Sequence, residues 1–179
     1  MAQSSTGRRE ERPPAPPAKN GVTLSPLVVE RIAHSDIPDV CGLYKHVWDA
    51  FEPPLPAGLL KAWQPSPLEF TTWMEGVTYF AARRDGRVVG SVGCAISDGS
   101  CRIVHLAVAP EGRRLGVGSS LVSAATEWAR HSNCNTLWVD ALERFKAAHQ
   151  MFRQLGFAEC GVLHRHRWNE DVRLFEKLL

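Results

Sequence analysis

Between Val104 and Ser119 the chain reads VHLAVAPEGRRLGVGS, and its chemical potential is concentrated in Arg113-Arg114-Leu115-Gly116-Val117-Gly118. An apolar run of strand character ends at Ala109-Pro110, a short loop turns, and two glycines open a helical pattern. The first amides of a helix have no intrahelical acceptor. Glycine lets an anion come close to the backbone, and the positive end of the helix dipole favours it there. Arg113 and Arg114 add two guanidinium forks at the same place. Such a turn can seat a diphosphate. Single residues exclude two nucleotide motifs. A Walker loop needs Lys-Ser/Thr after its second glycine, and Ser119-Ser120 stand there instead. A dinucleotide fingerprint needs a third glycine where Leu121 stands, and it belongs near the first strand of its domain.

Other polar side chains have smaller claims. On the strand Cys101–Ala109, alternation from Leu106 puts Arg102 and Val104 on one face and turns His105 to the other, where it reads as a structural histidine packed on a helix. His149 reads as a solvated helical residue, and His164-Arg165-His166-Arg167 as a solvated strand face, with a basic face serving the acceptor site as the alternative. Trp48 and Trp73 fall at helical spacings expected of a core. Cys41, Cys94, Cys101, Cys134 and Cys160 form no C-x-x-C pair, so they read as free thiols and no metal site is expected.

These residues need a scaffold, and the pattern supplies a mixed α/β single domain. A strand is expected over Val22–Arg31 and a helix over Asp36–Asp49, where Ile37, Val40, Leu43, Tyr44 and Val47 recur at helical spacing. The Pro-rich stretch from Phe51 to Trp63 reads as a connection. Ser66-Pro67-Leu68-Glu69 is a capping box with proline at the first helical position, so a second helix starts there. Val77–Arg84 and Arg87–Ile96 form a hairpin through Asp85-Gly86, and a turn at Ser97–Ser100 leads into Cys101–Ala109. Gly116–Ser132 is an amphipathic helix, and Thr136–Ala141 a short strand suited to a sheet centre. Phe145–Leu155 is a helix closed by Gly156. Phe157–Arg167 and Val172–Lys177 close the chain as a hairpin. The expectation is a central mixed sheet of about six to seven strands flanked by about four helices.

Composition narrows the class. The chain has 179 residues, 21 basic and 19 acidic, for a formal net charge of +2. That balance argues against nucleic acid as a partner. No apolar run is long enough for a bilayer span, and no secretory leader is visible, so the cytoplasm is the expected compartment. Residues 1–20 are dense in Pro, Ser, Arg and Glu and read as a disordered tail ahead of a domain over 21–179.

Arg113-x-x-Gly116-x-Gly118, following Leu106-Ala107-Val108-x-Pro110, resembles the first motif of the GNAT superfamily of acyl-CoA-dependent N-acyltransferases. The run Ala148-His149-Gln150-Met151-Phe152-Arg153-Gln154-Leu155-Gly156-Phe157 is similar to its second motif, and Asp171–Leu178 to its last strand. The resemblance covers Val22 to the end of the chain and implies an acetyl group moved from acetyl-CoA to a primary amine of a small molecule or peptide. The amine would attack the thioester directly, without an acyl-enzyme. It implies pantetheine and acyl contacts at Leu106, Ala107 and Val108, with the Val108 amide polarising the thioester carbonyl. The pyrophosphate would lie on Arg113, Arg114, Leu115, Gly116, Val117, Gly118 and Ser119. Asp140 matches a carboxylate that in some relatives takes the amine's proton through water, and a strand-end aspartate facing solvent is the plainer reading. Phe152, also counted on the cofactor side, stands where the family usually carries a tyrosine general acid, and a phenyl ring has no proton to give. A non-catalytic acyl-CoA-binding module is therefore the alternative. Phe51–Trp63 falls where relatives build the acceptor-side wall. Self-association through the closing hairpin stays open.

Overall fold

A computed structural model describes residues 25–179. The tail over residues 1–20 and the first residues of the strand expected from Val22 lie outside the described residues. Strand β1 is Val28–Arg31. Helix α1, Ile37–Asp49, buries Ile37, Val40, Leu43, Tyr44 and Val47 along one face, as its spacing requires. Helix α2 is Ala57–Trp63 and helix α3 is Pro67–Met74. The capping box at α3 is formed: the Ser66 hydroxyl accepts from the Glu69 amide, and the Ser66 amide donates to the Glu69 carboxylate at 2.8 Å. Strands β2 (Thr78–Arg84), β3 (Arg87–Ser97) and β4 (Ser100–Val108) form a meander. Helix α4 (Val117–His131), strand β5 (Thr136–Leu142) and helix α5 (Lys146–Gln154) follow, then β6 (Ala158–Arg167) and β7 (Glu170–Leu178).

The seven strands make one sheet in the order β1-β2-β3-β4-β5-β7-β6. Among the described residues only β4 and β5 pair in parallel. This is the expected mixed α/β architecture; among the described residues five helices flank the sheet, the additional one being Ala57–Trp63 within the stretch read as a connection. A proline at its N-cap, a glycine at its second position and a length of 7 residues left no periodicity to read.

The sheet separates two apolar clusters. On one side α4 and α5 pack Val117, Leu121, Val122, Ala125 and Phe152 against Val92, Ile103, Leu137 and Phe175. On the other, α1, α2 and α3 pack Val40, Tyr44, Leu59 and Phe70 against Tyr79, Ala107, Leu142 and Val172. Helix α4 lies very close to β3. A Cβ at Gly90 would stand 2.8 Å from Val117 Cγ1 and 2.9 Å from Leu121 Cδ1. Only glycine fits there. That approach fixes where the N-terminus of α4 opens.

Candidate active site

The site begins where two strands stop pairing. The β4–β5 ladder runs from Ser100 opposite Thr136 to Ile103 opposite Val139 and ends there. Each strand continues with its other neighbour, β4 to Val108 opposite Gly90 and β5 to Leu142 opposite Val172. The sheet therefore splits between two strands that both remain ordered. The Ala109 amide donates to Val89 O at 3.0 Å. Amides alternate sides along a strand, so the Val108 amide faces the split. The Arg113 guanidinium reaches over the Val108 carbonyl at 3.4 Å.

Beyond β4, a single turn at Pro110–Gly112 delivers the loop to α4. Arg114 (φ 62°) and Gly116 (φ 80°) are left-handed, which curls the loop in the manner of anion-binding nests. Among the described residues, none of the amides from Arg114 to Ser119 has a protein acceptor; the first satisfied one is Ser120, to Gly116 O at 3.0 Å. No side chain caps the helix. A Cβ at Gly116 would meet nothing within 4 Å. Arg113, Arg114, Leu115 and Gly116 are exposed. The turn is open, basic and rich in free donors, so it fits a diphosphate. Gly118 closes the geometry from behind: a Cβ there would lie 2.8 Å from Met151 Sδ of α5 and 3.7 Å from Val108 Cγ2. The loop, the end of β4 and α5 thus meet at one point.

On the α1–α3 side the split widens into a cleft of about 430 Å³. Leu106, Asp140, Ala148 and Phe152 line it, and so do Arg102, His105 and Arg167. One wall is aromatic. Trp48 stacks on Phe145 (6.0 Å between ring centres, 17° between planes), and its ring centre lies 4.9 Å from that of Trp63.

Three charges meet on the floor. Asp140 Oδ1 accepts from Arg102 Nη2 at 2.6 Å and Nε at 3.1 Å, and Oδ2 pairs with Arg167 Nη2 at 2.7 Å. Asp140 is therefore tied into an ion triad, and the solvent-facing alternative is corrected. Arg167 departs in the same way from its expected place on a solvated face, since its long side chain crosses β7 to the carboxylate. Arg102 also lies over Trp138, 4.8 Å from the ring centre.

His105 packs on a helix as expected, its ring stacking on Trp73 of α3 at 4.1 Å, but on the same face as Arg102 and not on the opposite one that alternation predicts. It lines the cleft because it sits in a bulge with φ 52° that breaks the alternation. Its Nδ1 lies 2.6 Å from the Tyr79 hydroxyl, and Tyr44 donates to its carbonyl at 2.9 Å. Burial, reinforced by Arg102 and Arg167, lowers the imidazole pKa to about 4. Burial pushes the phenols of Tyr44 and Tyr79 up.

The second expected motif is also placed. Phe152 is buried, its ring 5.6 Å from Phe157 and 5.7 Å from Phe175, with one flank on the cleft. His149 corrects its expectation of exposure: it is buried, and Nε2 lies 3.0 Å from Leu142 O, tying α5 to the end of β5. Ala107 turns its side chain into the core, so only its backbone is free for a ligand. The amide turn opens α4 where its glycines indicate. Sequence reading missed Tyr44, Trp48 and Arg102, whose convergence depends on contacts distant in sequence.

The sequence profile described as Acetyltransferase (GNAT) family matches residues 42–157, well over half of the chain. The streptothricin acetyltransferase of Streptomyces lavendulae is 30% identical over 87 residues, 48% of this chain and 46% of that protein. An N-acetyltransferase of Methanocaldococcus jannaschii is 24% identical over 142 residues, 78% of this chain and 83% of its own. The chain spans less than half the length of the first two curated relatives, at 46% and 42%. Among solved structures, the ribosomal-protein-alanine N-acetyltransferase from Brucella melitensis superposes with a TM-score of 0.71 at 21% identity, over 85% of this chain and 99% of that one. The PaiA N-acetyltransferase from Thermoplasma acidophilum, in complex with coenzyme A, gives 0.73 at 12% identity, over 86% and 99%. These structural likenesses speak for the fold. The profile, the split strands and the amide-lined turn agree, and the chain belongs to the Acetyltransferase (GNAT) family.

Proposed function

We propose that this chain moves an acetyl group from acetyl-CoA to a primary amine of a small molecule or peptide, by direct attack with both substrates bound. The observation that carries the reading is the run of unpaired amides from Arg114 to Ser119 beside the split between β4 and β5. Acetyl-CoA, bound there, supplies an activated thioester. Arg113, Arg114 and the amides to Ser119 hold its diphosphate. The backbone of Leu106, Ala107 and Val108 orients the pantetheine. The Val108 amide donates to the thioester oxygen as negative charge gathers on it.

The attacking nitrogen becomes acidic as its bond to carbon forms, so a weak base suffices to take its proton. Asp140 faces the cleft, but both its oxygens are engaged by guanidinium groups. His105 stays neutral at pH 7, with Nδ1 anchored by Tyr79, and its Nε2 is the stronger candidate. This assignment needs the Nδ1–H tautomer, with that hydrogen donated to the tyrosine oxygen. Asp140 then acts by holding Arg102 and Arg167. With phenylalanine at position 152, the departing thiolate takes its proton from water.

The test is thiol release from acetyl-CoA by the full chain across a panel of primary amines. Amine-dependent release above the hydrolysis background, with acetylated amine recovered by mass spectrometry, supports the reading. Tight CoA binding with no amine-dependent release favours a non-catalytic binding module instead.

A further inference from the structure

The cleft floor carries an unbalanced charge. Arg102 and Arg167 contribute two positive charges, Asp140 one negative, and His105 is neutral. All four line the same cavity, and so do Trp48, Trp63 and Phe145. Cation charge in a partly apolar cleft costs free energy unless an anion accompanies it.

We propose that the cleft selects amines that carry a carboxylate, seated against Arg167 and Arg102, with an aromatic or apolar body lying on Trp48, Trp63 and Phe145. This rests on the acetyltransferase reading for the reactive end and adds the class of acceptor. One excess positive charge matches a monoanion better than a phosphate dianion. The guanidinium fork suits a planar carboxylate, and its geometry favours two parallel bonds. Arg102 is held for this by Asp140 on one side and the Trp138 ring on the other. Asp140 keeps the two like charges together at the floor, so it is a positioning residue for acceptor binding.

The experiment compares acceptors differing only in the carboxylate: phenylalanine against phenethylamine, and 4-(aminomethyl)benzoate against benzylamine. Two readouts are taken on the full chain, kcat/KM for acetyl transfer and affinity by calorimetry. In at least one pair, the carboxylated member should be favoured about tenfold, the scale of one hydrogen bond to a charged group. In Arg167→Gln, folded by circular dichroism, that preference should shrink to about threefold or less. Equal or better performance of the uncharged amine in both pairs overturns the proposal, as does an unchanged preference in Arg167→Gln. The calorimetric arm needs no turnover. Failure of CoA to bind would strike the transferase reading, whereas CoA binding without carboxylate preference would strike only this one.

Discussion

Ile103 of β4 and Val139 of β5 are the last residues paired across the parallel junction, and the cleft opens one position later, at Val104 and Asp140. The split costs little order, because β3 holds β4 on its far side and β7 holds β5. Each strand loses hydrogen bonds on one edge only. The freed edge of β4 presents the Val108 amide to whatever enters, and such an edge group demands a partner. A ligand threaded between the strands satisfies it.

The first prediction concerns the helix mouth. Gly90→Ala places a methyl against Val117 and Leu121, side chains fixed by the core. It should lower stability by about 2 kcal/mol, the scale of overpacking a core, and weaken CoA binding as α4 moves. Urea unfolding and calorimetry read the two effects.

Removing the central charge of the triad leaves two guanidiniums facing each other. Asp140→Ala should cost about 2 kcal/mol, below the figure for a fully buried pair because both arginines are partly exposed. Its kinetic signature should be a raised KM for the acceptor with a smaller change in kcat. A collapse of kcat at unchanged KM would make Asp140 the proton acceptor after all.

His105 gives a pH dependence with a definite sign. Its folded-state pKa is about 4, against an ordinary value of 6.5 when unfolded. The unfolded chain therefore binds the proton first, and stability contributed by the neutral ring is lost as pH falls from 6.5 towards 4. The loss amounts to at most about 3 kcal/mol. His105→Asn, which tolerates the positive φ, should flatten that slope in urea titrations at pH 4.5 and 7.5 compared with the parent. It should also lower kcat by about a hundredfold if the ring takes the amine's proton.

Phe152→Tyr restores a hydroxyl at the flank of the cleft. The ring is buried against Phe157 and Phe175, so the variant should stay folded, with kcat equal to or above the parent's. A large fall in kcat at normal stability would show that the phenyl ring shapes the cleft in a way the hydroxyl disturbs.

Local signals carried most of the architecture. The Asp85-Gly86 hairpin, the Ser66–Glu69 box and the helical stripe of α4 each depend on neighbours within a turn or two, and each stands where its residues indicate. The amide turn was readable for the same reason. What escaped is what long-range geometry decides. His105 enters the cleft through a bulge that alternation does not contain. Arg167 leaves an exposed strand to reach Asp140 across β7. His149 is buried because its nitrogen finds the Leu142 carbonyl, 7 residues back. Trp48, legible as core, is core on one flank and cleft wall on the other.

The central claim is that free amides at the start of α4 seat a diphosphate, and calorimetric titration of CoA into the full chain tests it most directly, run beside Gly116→Asp. That variant forces a side chain into φ 80° and sets a carboxylate in the open space before the amides. The account predicts saturable binding to the parent and at least about a tenfold loss in the variant. No heat of binding at millimolar CoA, or equal affinity in the two proteins, would contradict it.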